Sequence, residues 1–156
     1  MRMGLGNMED LVPRLLVVED DVTVARAVSR TLARRGFSVA LARSCTAARA
    51  LAQSFDFAVL DLDLPDGNGV DLARTLLDED KVRSMLFFTG SRDPALLARA
   101  RTLGSVIMKS SGSAEVLAQL TQLVAESVEP PQSRTAPSDK TRAFALASAA
   151  GKSRAR

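Results

Sequence analysis

The chain has 156 residues, 46% of them apolar and 25% charged, with a formal net charge of +3, the profile of one soluble globular domain with a core to bury. The lone Cys45 excludes an intramolecular disulfide and a thiolate zinc site, and the absence of histidine excludes imidazole triads, His metal clusters and imidazole proton shuttles. No apolar run approaches the ~20 residues of a membrane span, and the N-terminal MRMGLGNMEDLVPR carries acids where a secretory signal needs an apolar stretch.

Short apolar runs then alternate with helical periods. Leu15-Leu16-Val17-Val18 predicts a buried strand. Val24, Val28 and Leu32 recur every fourth residue and predict a helix that Gly36 can end in a left-handed cap. Phe37 to Leu41 reads as a second strand, and Ser44 as the N-cap of an Ala-rich helix over Thr46–Gln53. Phe57–Leu60 is a third strand, and residues 61–69 form a loop rich in Asp, Gly and Pro. A helix carrying Val70, Leu72, Ala73, Leu76 and Leu77 follows and ends among Asp78, Glu79 and Asp80. Met85–Phe88 is the fourth strand, and Asp93-Pro94 opens a helix through Ala100, an N-cap with Pro at the first helical position. Val106–Met108 is the fifth strand, and Val116, Leu117, Leu120, Leu123 and Val124 draw the apolar stripe of a last helix.

Five continuously apolar strands, each followed by a helix, predict a parallel sheet covered on both faces, a three-layer α/β/α sandwich. Residues 1–12 read as an N-terminal extension, 13–127 as the domain, and 128–156 as a disordered basic tail broken by Pro130, Pro131 and Pro137. That tail holds six basic residues against Glu129 and Asp139, so a chain of +3 leaves residues 1–127 at −1. The sequence pI of 9.6 therefore does not signal a nucleic-acid-binding domain. Gly151-Lys152-Ser153 lacks the upstream Gly, strand and following helix of a phosphate loop.

In open parallel sheets, ligands bind beyond the carboxyl ends of the strands. The first strand ends in Glu19-Asp20-Asp21, the third in Asp61-Leu62-Asp63-Leu64-Pro65-Asp66-Gly67, the fourth in Thr89-Gly90-Ser91 and the fifth in Lys109-Ser110-Ser111. Carboxylates gathered there repel by about 4 kcal/mol per pair at ~4 Å and an effective dielectric near 20. Oxygen donors without His or Cys suit a hard cation, Mg2+ where a phosphate completes the shell. A hydroxyl (Thr89) and an ammonium (Lys109) at the same edge suit phosphoryl oxygens, and a carboxylate beside the metal can act as nucleophile. The set reads as phosphoryl transfer to an aspartate. Asp21 and Asp66 read instead as a helix N-terminal acid and a turn residue, and Cys45 as a small structural residue.

LLVVEDD, VLDLDLPDGNG, FFTGS and IMK, each after its expected strand, closely resemble the response-regulator receiver domain of two-component signalling over about residues 13–127. The resemblance implies a flavodoxin-like sheet of order 2-1-3-4-5, the order for which receivers already serve as an illustration. It implies Asp61 as phospho-acceptor, Glu19 and Asp20 as the acids that hold Mg2+ with Asp61, and Asp63 lending the metal its main-chain carbonyl. Thr89 matches the switch hydroxyl and Lys109 the lysine that pairs with the phosphoryl group. The implied partners are a sensor histidine kinase or phosphotransfer protein and a downstream protein target, in the cytoplasm, with no specific nucleic acid, no membrane and no turnover of an external product. The chain departs from the family pattern at Ser110, where a Pro is usual, at Val106, where a Tyr or Phe is usual, and in a shorter segment between Thr89 and Lys109. Two other readings remain open: an aspartate-nucleophile phosphatase of the haloacid-dehalogenase type, whose DxD is spelled by Asp61-Leu62-Asp63, and a receiver used as an unphosphorylated scaffold.

Overall fold

In the computed structural model, which describes residues 12–127, the apolar runs become a sheet. Its strands are β1 (Arg14–Val18), β2 (Ser38–Ala42), β3 (Phe55–Leu60), β6 (Val82–Thr89) and β7 (Ser105–Met108), with a two-residue ladder of β4 (Asp63–Leu64) and β5 (Gly67–Asn68) between β3 and the next helix. The helices are α1 (Val22–Arg34), α2 (Cys45–Ala50), α3 (Gly69–Asp78), α4 (Pro94–Arg101) and α5 (Ser113–Ser127). The large sheet runs β2-β1-β3-β6-β7, every pair parallel; counted over its own five strands this is the expected order 2-1-3-4-5.

Successive residues of a strand face opposite sides of a sheet. Leu16, Val18, Ala58, Leu60, Met85 and Phe87 form one buried cluster with Ala48 of α2, Leu72, Ala73 and Leu76 of α3 and Ala100 of α4. Leu15, Val17, Phe57, Val59 and Leu86 are also buried and alternate to the other face, as are Ala25, Val28 and Leu32 of α1 and Val116 and Leu120 of α5. A hydroxyl pair, Thr31 to Ser113 at 3.2 Å, ties α1 to the start of α5. The chain divides into two compact units after Thr121, and of the second the structure describes Gln122–Ser127 as the end of α5. No helix among the described residues is long and apolar enough to cross a membrane.

Local signals placed most boundaries. Asp21 accepts from the Thr23 and Val24 amides and caps α1, and Gly36, at φ +96°, follows its last turn. Ser44 and Asp93 cap α2 and α4, with Pro94 at the first position of α4. The expected extent of α2 is corrected: it ends at Ala50, because Leu51 is extended at ψ 132°. Six residues are too few for a helix to persist on its own, and distant groups hold both ends. Asp66 accepts from the Cys45 and Thr46 amides at 2.8 and 2.9 Å and from the Thr46 hydroxyl at 2.6 Å. The Lys81 ammonium donates to the Arg49 and Leu51 carbonyls at 3.1 and 2.8 Å. Cys45 is buried there and burial pushes its thiol up, in keeping with a structural residue. The loop of residues 61–69 also differs from expectation, since Asp63 pairs with Asn68 and Leu64 with Gly67. The second strand starts one residue later than expected, at Ser38, while β3 and β6 start earlier, at Phe55 and Val82. The expected extension, residues 1–11 of it, and the expected tail over 128–156 lie outside the described residues.

Candidate functional site

The sheet register builds the site. Val18 pairs with Leu60, and Leu60 with Phe87, so the residues that leave β1 and β3 emerge side by side. Two further backbone bonds carry the ladder past the strand ends: the Asp61 amide donates to the Val18 carbonyl and the Glu19 amide to the Ala42 carbonyl, both at 3.0 Å. Thr89 closes β6 opposite Met108, and Lys109 leaves β7 in a single 3-10 turn, Lys109–Ser111.

Glu19 and Asp61 are buried, and Thr89 is fully so. The Lys109 ammonium donates to both acids, at 2.8 Å to Asp61 Oδ2 and 2.9 Å to Glu19 Oε1. The other carboxylate oxygens are held by the backbone: the Asp21 amide donates to Glu19 Oε2 at 3.1 Å and the Asp63 amide to Asp61 Oδ1 at 3.3 Å. Burial is the largest influence on Glu19 and the Asp61 charge adds to it, so the acid is pushed up to about 7 although Lys109 pulls the other way. Burial works to lower the Lys109 ammonium, but its bonds to Asp61 and Glu19 prevail and hold it above the ordinary lysine value.

Oxygens of Glu19, Asp20 and Asp61 lie within 4.8 Å of one another, with Asp20 exposed at the mouth. Three carboxylates without a nitrogen or sulfur donor suit a hard cation, and the spacing suits an octahedral Mg2+ shell, whose opposite ligands are about 4 Å apart. The structure thus brings together Glu19, Asp20, Asp61 and Lys109. Asp63 stays outside this group by its exposed side chain and reaches the site through its backbone amide. Thr89 stands at the same edge, but its hydroxyl bonds locally, accepting from the Ser91 amide at 3.0 Å. Ser110 does not displace Lys109, and the described residues contain no cis peptide. Val106 is half-buried on β7, packed against the buried cluster.

Two features escaped the sequence reading. Gly69 passes so close to the chain leaving β3 that a Cβ there would lie 2.1 Å from the Asp61 carbonyl oxygen; the run Gly67-Asn68-Gly69 signals a turn and says nothing of this approach. Ser91 is buried, its amide donating to the Thr89 hydroxyl and its own hydroxyl accepting from the Asp93 amide. Its signal was the Thr-x-Ser-x-Asp spacing ahead of a helix.

The family model of the response regulator receiver domain matches residues 15–121. The chain is 34% identical over 122 residues to the acid tolerance regulatory protein ActR of Rhizobium meliloti (strain 1021), an alignment that takes in 76% of this chain and 63% of that one. It thus spans a little under two thirds of that relative's length. Among solved structures, the non-phosphorylated HemR receiver domain of Leptospira biflexa is 34% identical with a TM-score of 0.65, covering 72% of this chain and 94% of that one. A CheY-like receiver domain protein of Methanospirillum hungatei JF-1 shares the fold at 22% identity and a TM-score of 0.67, covering 74% and 95%.

Proposed function

This chain belongs to the response regulator receiver domain family, and from that premise we propose that it signals by accepting a phosphoryl group on Asp61. The observation that carries the assignment is the placement of Asp61, a buried carboxylate beside two further acids and in contact with the one ammonium that also binds Glu19. A phosphohistidine of a sensor kinase or phosphotransfer protein is the proposed donor. An Asp61 oxygen forms the new O–P bond as the P–N bond breaks, and the electron pair of that bond, with a proton taken from solvent, ends on the departing imidazole.

Glu19, Asp20 and Asp61 would hold Mg2+, joined by the main-chain carbonyl of Asp63 as in the family. When bound, the ion supplies positive charge that offsets carboxylate repulsion and the charge of the incoming phosphoryl group. Lys109 shares its protons between Asp61 and Glu19 before transfer and turns one of them to a phosphoryl oxygen afterwards. The Thr89 hydroxyl donates to another. Water later attacks phosphorus, the Asp61 O–P bond breaks with its electron pair left on the carboxylate, and inorganic phosphate departs, so the chain modifies itself and turns over no external product.

The output of the described fold is contact with a downstream protein in the cytoplasm. Its first four helices link strands of the sheet and α5 follows the last strand, and no pair of them stands apart as a nucleic-acid reader among the described residues.

Intact-mass measurement with acetyl phosphate and Mg2+ tests the assignment. One phosphoryl group is expected on the native chain, none in EDTA and none on Asp61→Asn. Labelling of Asp61→Asn at the native rate overturns the choice of acceptor.

A further inference from the structure

We propose that Ser91 is a positioning residue that couples the Thr89 hydroxyl to the N-terminal turn of α4; the signalling consequence rests on the reading of Asp61 as acceptor. Three sets of hydrogen bonds run in series. Thr89 Oγ1 accepts from the Ser91 amide at 3.0 Å. Ser91 Oγ accepts from the Asp93 amide at 3.3 Å. Asp93 Oδ1 accepts from the Ala95 and Leu96 amides at 3.0 and 3.3 Å, which caps α4.

The first link is sealed from solvent, since Thr89 is 0% and Ser91 7% exposed. A buried amide that loses its acceptor cannot turn to water, so the backbone at Ser91 follows the Thr89 oxygen. Displacement of that oxygen toward a phosphoryl group on Asp61 pulls Ser91, and through its hydroxyl the amide of Asp93. The receiving end is soft. α4 has eight residues with Ala100 its one fully buried member, and in its first turn Leu96 and Leu97 are only partly buried against the core, so the Asp93 cap adds to shallow packing in holding that turn. A ligand shifts such an element only through contacts that differ between its two positions, and the Thr89–Ser91 bond is that contact.

The test uses the full chain and reads amide exchange at Ala95 and Leu96, with beryllofluoride plus Mg2+ as the acyl-phosphate mimic. Without the mimic, Ser91→Ala should speed exchange of both amides roughly fivefold, the worth of one net hydrogen bond, and Ser91→Thr, which keeps Oγ, should restore it. With the mimic, the native chain should change exchange across residues 91–97. Ser91→Ala should bind beryllofluoride as the native chain does and lose that change. A change of native size in Ser91→Ala overturns the coupling, as does native binding without any change at 91–97, and both leave Asp61 as acceptor.

Failure of the native chain to bind beryllofluoride strikes the acceptor reading instead. The coupling is then decided without the mimic, by a cycle of Thr89→Val and Ser91→Ala. Their effects on Ala95 and Leu96 exchange must be non-additive if the bonds act in series; additive effects overturn the proposal. Thermal melts of each variant confirm that the fold is kept.

Discussion

Lys109 and Asp61, at the ends of β7 and β3, meet at 2.8 Å from ammonium to carboxylate, and the same ammonium reaches Glu19 at 2.9 Å. One cation from the edge strand thus compensates two buried acids drawn from the two adjoining central strands. Removing it should be costly in the metal-free protein. Lys109→Met is expected to lose about 1–3 kcal/mol of stability in EDTA, because two buried acids lose their charged partner, and Mg2+ should return part of that loss. Urea denaturation in EDTA and in Mg2+ checks this; unchanged stability in EDTA contradicts it.

Glu19 gives a pH dependence whose sign follows from its burial. Its carboxyl is raised from 4.5 to about 7 in the folded chain, so the folded state holds a proton that the unfolded state has already released. Metal-free stability attached to Glu19 is therefore complete below about 4.5 and is lost as pH rises through about 7. Glu19→Gln cannot ionise and should lack this component. Across that window the native chain should lose stability relative to Glu19→Gln in EDTA; a relative gain contradicts the assignment.

Asp20 is the exposed member of the acid trio. Asp20→Ala should weaken Mg2+ binding at least tenfold, by loss of one carboxylate ligand. Metal-free stability should stay within about 0.5 kcal/mol, as for an ordinary surface substitution. Calorimetric Mg2+ titration with a melt in EDTA separates the two effects, and a clear metal-free loss of stability argues for a structural role.

Gly69 sits against the chain leaving β3, with 2.1 Å between a built Cβ and the Asp61 carbonyl oxygen. The contact is with backbone, which cannot swing aside as a flexible side chain can. Gly69→Ala should cost about 1–3 kcal/mol by overpacking, and the displaced Asp61 should be labelled more slowly by acetyl phosphate even where the chain is fully folded. Native labelling kinetics in a folded Gly69→Ala chain contradict this.

The residues of the candidate site were legible in the sequence because they stand where apolar runs stop. Leu15–Val18, Phe57–Leu60, Met85–Phe88 and Val106–Met108 each identify themselves by length and hydrophobicity, and in a parallel sheet the polar residues after them share one edge. Glu19, Asp61, Thr89 and Lys109 follow from that rule without coordinates. Caps at Asp21, Ser44 and Asp93 were legible for a similar reason: a cap and its amides lie within three residues of each other.

Partners far apart in the chain were decided only by the tertiary structure. Asp66 holds the start of α2 across 20 residues and Lys81 its end across about 30, so no window of sequence contains both donor and acceptor. The pairing of Val18 with Leu60 puts Glu19 beside Asp61, and burial of that pair makes a shared lysine necessary and raises the Glu19 carboxyl. The backbone approach at Gly69 and the sealed bond between Thr89 and Ser91 arise in the same way. Periodicity and capping are local and are written residue by residue, whereas desolvation and close approach depend on which distant groups the packed sheet brings to one edge.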